Sequence, residues 1–86
     1  MYLHLGSDVA VNTEDIIGIF DMDNTTVSAK TRAFLKRAQK KGEISDITED
    51  LPKSFVVTNK DNKIKVYISS LATRTLLKRA NSENLI

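Results

Sequence analysis

Apolar and polar positions alternate at the start of the chain. Leu3 and Leu5 interleave with Tyr2 and His4 up to Gly6-Ser7-Asp8, which predicts a short strand and a turn. Val9-Ala10-Val11 resumes the pattern as the second arm of a hairpin, and Asn12-Thr13-Glu14-Asp15 ends it. Residues 16–20 (Ile-Ile-Gly-Ile-Phe) form an apolar run interrupted only by Gly18, the pattern of a buried strand. A polar loop follows at 21–26.

The period then changes. Val27, Thr31, Phe34, Leu35 and Ala38 recur at helical spacing, predicting a helix over 28–41 with Ser28 as its N-cap and Gly42 as its stop. Residues 43–50 read as an acidic connection closed by Leu51-Pro52. Residues 54–58 (Ser-Phe-Val-Val-Thr) carry the strongest strand signal in the chain. A turn at 59–62 returns it as a strand over 63–69, with Ile64, Val66 and Ile68 on one face and Lys63, Lys65 and Tyr67 on the other. A last helix runs from a Ser69 or Ser70 cap to about Ala80, with Thr73, Leu76, Leu77 and Ala80 inward. The order ββ-β-α-ββ-α predicts a single α+β domain over 1–86. It consists of a small, twisted, mainly antiparallel sheet of about five strands with two helices.

Composition adds one constraint. With 86 residues, 41% hydrophobic and 28% charged, the chain reads as an ordinary globular domain. A chain this short buries only about 60% of its unfolded surface. It has no Cys and one His, so neither a disulfide nor a thiolate metal site adds stability, and no cofactor or metal is expected. Self-association is the remaining route to burial, and a homo-oligomer is expected. No apolar run approaches the ~20 residues of a membrane span, and the N-terminus lacks the basic region of a signal peptide, so a cytoplasmic protein is expected.

Charge changes the picture most. Residues 1–26 hold five acids and no base, 27–42 six bases and no acid, 43–50 four acids and no base, and 51–86 seven bases against two acids. The formal net charge of +2 therefore conceals strong local potentials. Within the first helix, Lys36 follows Arg32, Lys40 follows Lys36 and Lys41 follows Arg37, each at i+4. Each such pair costs a few tenths of a kcal/mol. A helix that needed only solvation would mix signs. A second basic element recurs at Lys60, Lys63 and Lys65 and a third at Arg74, Lys78 and Arg79, so a phosphate backbone is the natural partner. A solvated face is the bland reading of any one of these runs; their recurrence favours the polyanion.

Other motifs fare less well. Ile19-Phe20-Asp21-Met22-Asp23-Asn24-Thr25 resembles the first motif of haloacid-dehalogenase-type phosphohydrolases, and Val56-Val57-Thr58-Asn59 resembles their second. That chemistry needs a carboxylate nucleophile, a second carboxyl group and Mg²⁺ held by a late acidic pair. After Thr58 the only acids are Asp61 and Glu83, and the chain is too short for that family's parallel sheet. The phosphohydrolase stays a remote alternative beside a solvated strand–helix loop. The same loop starts like an EF-hand, but Thr26 replaces the required Gly and Arg32 the required Glu. His4 has no partner cluster and reads as a strand residue, not a ligand.

Three segments carry a wider resemblance. Residues 2–6 through 16–21, then Pro52-Lys53-Ser54-Phe55-Val56-Val57-Thr58, then Tyr67-Ile68-Ser69-Ser70-Leu71 leading to Thr75-Leu76-Leu77-Lys78-Arg79, resemble in order and spacing the Rem family of extracellular-matrix (biofilm) regulators of Gram-positive bacteria. The resemblance covers nearly the whole chain. It implies a cytoplasmic transcriptional regulator with a fold similar to LytTR DNA-binding domains, assembled into rings that bind DNA. DNA-binding members use an arginine just ahead of the third strand and an arginine pair just ahead of the central strand. Here those places fall near Glu14-Asp15 and Asp50-Leu51-Pro52, with Lys53 the only base close by.

The expectation is therefore a non-enzymatic, DNA-binding regulator acting as a ring-like homo-oligomer. Its phosphate contacts are assigned to Lys30, Arg32, Lys36, Arg37, Lys40, Lys41, Lys53, Arg74, Lys78 and Arg79. The partners are double-stranded DNA, further copies of the chain and, as another candidate, a related family regulator; no membrane is involved. The alternative is an oligomeric protein–protein adaptor without direct DNA binding.

Overall fold

Two layers sit on opposite faces of a four-stranded sheet. The computed structural model describes residues 1–22, 29–46 and 51–84. The strands are β1 (Tyr2–Gly6), β2 (Val9–Asn12), β3 (Ile16–Asp21), β4 (Ile44–Asp46), β5 (Ser54–Lys60) and β6 (Lys63–Ser69). The helices are α1 (Ala29–Lys40) and α2 (Thr73–Asn84), and a 3-10 turn spans Thr13–Asp15. β1 and β2 form a separate antiparallel hairpin, and the larger sheet has the order β3-β5-β6-β4. The α+β class stands. The strands differ from the expected single sheet of about five in two respects: the β1–β2 hairpin pairs apart from the larger sheet, and β4 lies inside what reads as an acidic connection and pairs parallel to β6.

Strand β5 is central, and alternate side chains enter different cores. Val56 joins Leu3, Leu5, Val11 and Leu76 under the β1–β2 hairpin and α2. Phe55 and Val57 join Ala38 and Val66 under α1, with Phe34, Leu35, Ile44, Ile64 and Ile68 around them. Burial on both faces explains why Ser54 through Thr58 are all buried instead of alternating. Two serines tie the first layer to the sheet. Ser69 Oγ donates to the Leu5 carbonyl at 2.7 Å and accepts from the Leu71 N–H at 3.0 Å, while Ser54 Oγ donates to the Leu71 carbonyl at 2.7 Å. Ser69 is thus spent inside the core instead of capping a helix, and α2 begins later, at Thr73. Leu76 is buried as expected, but Leu77 is 48% exposed because it lies one residue off the inward stripe.

Strand β3 is one edge of the sheet. A bulge between Ile16 and Gly18 lets Ile16 and Ile19 both enter the first core and turns Ile17 outward. Ile17 is 59% and Phe20 36% exposed, so this strand is not buried throughout as its composition predicts. A Cβ at Gly18 would stand 2.6 Å from Phe20 Cζ, so the missing side chain makes room for the Phe20 ring. That ring stacks on Phe55 with centroids 5.0 Å apart. No helix among the described residues is long and apolar enough to cross a membrane.

Candidate nucleic-acid interface

Helix α1 holds its cations by packing and by its C-terminus. Phe34, Leu35 and Ala38 anchor one side against Phe55, Val57 and Val66. The end is a Schellman motif: the Glu43 N–H reaches the Ala38 carbonyl at 2.9 Å, the Gly42 N–H reaches Gln39 at 3.1 Å, and Gly42 has φ 71°. Lys30, Arg32, Lys36, Arg37, Lys40 and Lys41 are all exposed. Arg32, Lys36 and Lys40 follow one another at one-turn intervals of about 6 Å. Arg37 and Lys41 lie along the flank beside Ile64. The N-cap expected at Ser28 and the apolar position at Val27 lie outside the described residues.

The other four candidate bases are exposed but do not join this group. Arg74, Lys78 and Arg79 are on α2, which packs on β1 and β3 across the sheet from α1. The Arg79 guanidinium lies 3.5 Å from the His4 carbonyl oxygen, the long limit of a hydrogen bond. Lys53 precedes β5, its backbone bridging Ser69 and Met22. The chain therefore carries two basic surfaces on opposite sides of its sheet, and the α1 surface is the denser.

Beside α1 runs an apolar groove of about 390 Å³, lined by Ile17, Phe20, Phe34, Phe55, Val57 and Ile64 and edged by Lys30. It exists because α1 covers the β4 side of the sheet and leaves the β3 side bare. Sequence pattern hides it, since the same residues read as core. One further feature escapes sequence reading: strand β4 supplies Ile44 to the α1 core. The β5–β6 register holds Lys63 and Lys65 on the shared face that their alternation predicts and sets Lys60 beside them.

The phosphohydrolase pattern does not assemble. β3 and β5 are antiparallel, with Asp21 opposite Ser54 and Thr58 opposite Ile16. Asp21 and Thr58 thus stand at opposite ends of the strand pair, roughly 15 Å apart at about 3.3 Å per residue. Thr58 Oγ1 donates to the Lys65 carbonyl at 3.2 Å. Asp23 and Thr25 of that motif lie outside the described residues. His4 is an exposed β1 residue, and no metal-binding group of acids and His occurs among the described residues.

A small mixed sheet between a hairpin–helix layer and a cation-faced helix defines a compact α+β domain. It belongs to the RemA-like family, described as extracellular matrix regulatory protein A-like, whose family model matches residues 2–80. That span includes all six strands, α1 and most of α2. The chain is 41% identical over 80 residues to Extracellular matrix regulatory protein B of Bacillus subtilis (strain 168), an alignment covering 93% of this chain and 90% of that protein. It is a Rem-family extracellular matrix regulator.

Proposed function

We propose that this protein is a non-enzymatic transcriptional regulator of extracellular-matrix genes that binds duplex DNA as a ring-like homo-oligomer in the cytoplasm. The observation that carries the reading is α1: five exposed bases on the helix and a sixth, Lys41, in the turn that closes it, with no acid on the helix and an apolar face packed on the sheet. Such a surface releases counterions when it meets phosphates, and it keeps paying a like-charge cost when it does not. Because α1 and α2 lie on opposite sides of the sheet, one straight duplex meets only one of them on a given subunit. We assign the principal contact to α1, with Lys53, Arg74, Lys78 and Arg79 as secondary positions. Repetition around a ring turns modest contacts into useful avidity. Phosphate contacts position the protein and leave selectivity to DNA shape.

The groove supports the assembly half of the proposal. Its occupant is a second copy of the chain, presenting Leu51, which is 74% exposed and follows Glu49-Asp50 in sequence. That acidic, apolar-tipped segment complements a groove edged by Lys30 and neighboured by Arg37 and Lys41. Contact between two different patches is the head-to-tail kind that closes rings. The same groove also favours the second reading, an adaptor that docks a sister regulator. Gel shifts across a salt series, paired with light scattering, separate the two. Steeply salt-dependent binding by an oligomer supports the regulator, whereas an oligomer indifferent to DNA supports the adaptor.

A further inference from the structure

A second concave surface lies on the side of the sheet away from α1, between the β1–β2 hairpin with its 3-10 turn and the tip of β5–β6. Asp61 and Asn62 have φ of 52° and 65°, the left-handed pair that makes a tight two-residue hairpin turn. The turn fixes the register: Lys60 faces Lys63, Thr58 faces Lys65 and Val56 faces Tyr67. Directly opposed residues share a face, and so do residues two apart along a strand. Lys60, Lys63, Lys65 and Tyr67 therefore project from one side of the hairpin, the side on which Val56 enters the first core. They line a cleft of about 380 Å³ whose far wall includes Tyr2 and Asp15.

This arrangement has a cost that the fold alone does not require. Like charges placed directly opposite across two strands destabilise the pair. Nothing about a tight turn demands lysine at both flanks. Among the described residues, none of the three lysines is ion-paired, although Asp15 and Asp61 border the same cleft. The Lys65 ammonium lies over the Tyr67 ring, 5.2 Å from its centroid, which holds this exposed side chain beside the cleft. A bound anion removes the repulsion. Two tyrosines beside three ammonium groups suit an anion that also carries a flat ring.

We propose that this cleft binds a free nucleotide. Lys60, Lys63 and Lys65 take the phosphate chain, the base lies against Tyr67 and Tyr2, and Asp15 accepts hydrogen bonds from a sugar hydroxyl or a base amino group. The volume falls within the range of small-ligand sites, about 300–1,000 Å³. Asp15 and Asp61 disfavour a continuous phosphate backbone and leave room for one phosphate chain. The shared chemistry, a phosphate joined to a base, is also offered by unpaired DNA, and the test separates the two. The site stands across the sheet from α1, so it does not rest on the duplex-binding reading.

The experiment is calorimetric titration of the full-length protein with ATP, GTP, adenosine, pyrophosphate and a short single-stranded oligothymidylate. One of the two nucleotides is expected to bind saturably, once per chain, at least about tenfold more tightly than adenosine or pyrophosphate, a factor of ten being about 1.4 kcal/mol. Lys63→Gln with Lys65→Gln is expected to weaken it at least about tenfold. Tyr67→Leu is expected to reduce it to the level of pyrophosphate. The glutamine variant, relieved of repulsion, is expected to melt no lower than the parent without ligand, which shows that it is folded. Charge removal on α1 leaves nucleotide binding unchanged, whatever it does to duplex binding. Three results overturn the proposal: no saturable binding of ATP or GTP, pyrophosphate binding as tightly as the nucleotides, or the oligothymidylate binding more tightly than either.

Discussion

Ser69 and Leu5 are joined by a buried hydrogen bond 64 residues apart in sequence, Oγ to carbonyl at 2.7 Å. The same oxygen accepts from the Leu71 N–H, so one hydroxyl secures the N-terminal hairpin, the last sheet strand and the approach to α2. Ser69→Ala leaves a buried carbonyl and an amide without this partner. The expected loss is about 1–3 kcal/mol, the usual penalty for an unsatisfied buried group. Urea denaturation checks it: the midpoint should fall with an unchanged slope.

Gly42 closes α1 in the left-handed region, and nothing lies within 4 Å of where its Cβ would be. Backbone strain is therefore isolated from crowding at this position. Gly42→Ala should cost about 1–2 kcal/mol, and Gly42→Asn should cost less, because Asn tolerates this conformation better. Equal losses from both variants in thermal or urea unfolding would mean that the cap contributes by some other route.

Much of this architecture is legible in the sequence, and the exceptions share a cause. Residues 54–58 and 63–69 announce themselves because β-branched runs flank a polar turn. The α1 stripe of Phe34, Leu35 and Ala38 is equally plain. Strand β4 is not, because Ile44 is the only apolar residue among its three and its partner Val66 comes from a distant, parallel strand. Ser69 looks like a helix cap until its partner Leu5 is seen. Ile17 and Phe20 look like core because composition reports apolar character, whereas edge position is a property of the assembled sheet. The bases were all visible as residues. Their division between two sides of the sheet was not, since it depends on which face of β5 each helix covers.

The groove makes self-association testable without DNA. Phe20→Glu or Ile17→Glu places a charge on the bare apolar surface, and Leu51→Asp places one on the segment assigned to fill it. Each should shift the oligomer toward monomer in light scattering, while circular dichroism keeps the parent's secondary structure. Oligomers that survive all three substitutions would move the interface elsewhere. Gly18→Ala offers a milder probe: a methyl group there displaces the Phe20 ring from Phe55, and assembly should weaken more than stability does.

Salt dependence distinguishes the two basic surfaces. Neutralising Lys36 and Lys40 to Gln should weaken duplex binding on all sequences alike and flatten the log–log salt slope by roughly 1.8, about 0.9 per lost phosphate contact. Arg74→Gln with Lys78→Gln should change the slope less. If the α2 pair proves the more damaging, the principal DNA surface belongs on the other side of the sheet.

Only one strand's thickness separates the two cores. Phe55 and Val57 on one side and Val56 on the other hang from consecutive peptide units. A displacement of that backbone is therefore registered above and below at once. Neither half can melt or repack privately, so heat capacity scans should show a single cooperative transition. An aromatic reporter at Phe55 would sense events at Leu3 and Leu76, with which it has no core cluster in common.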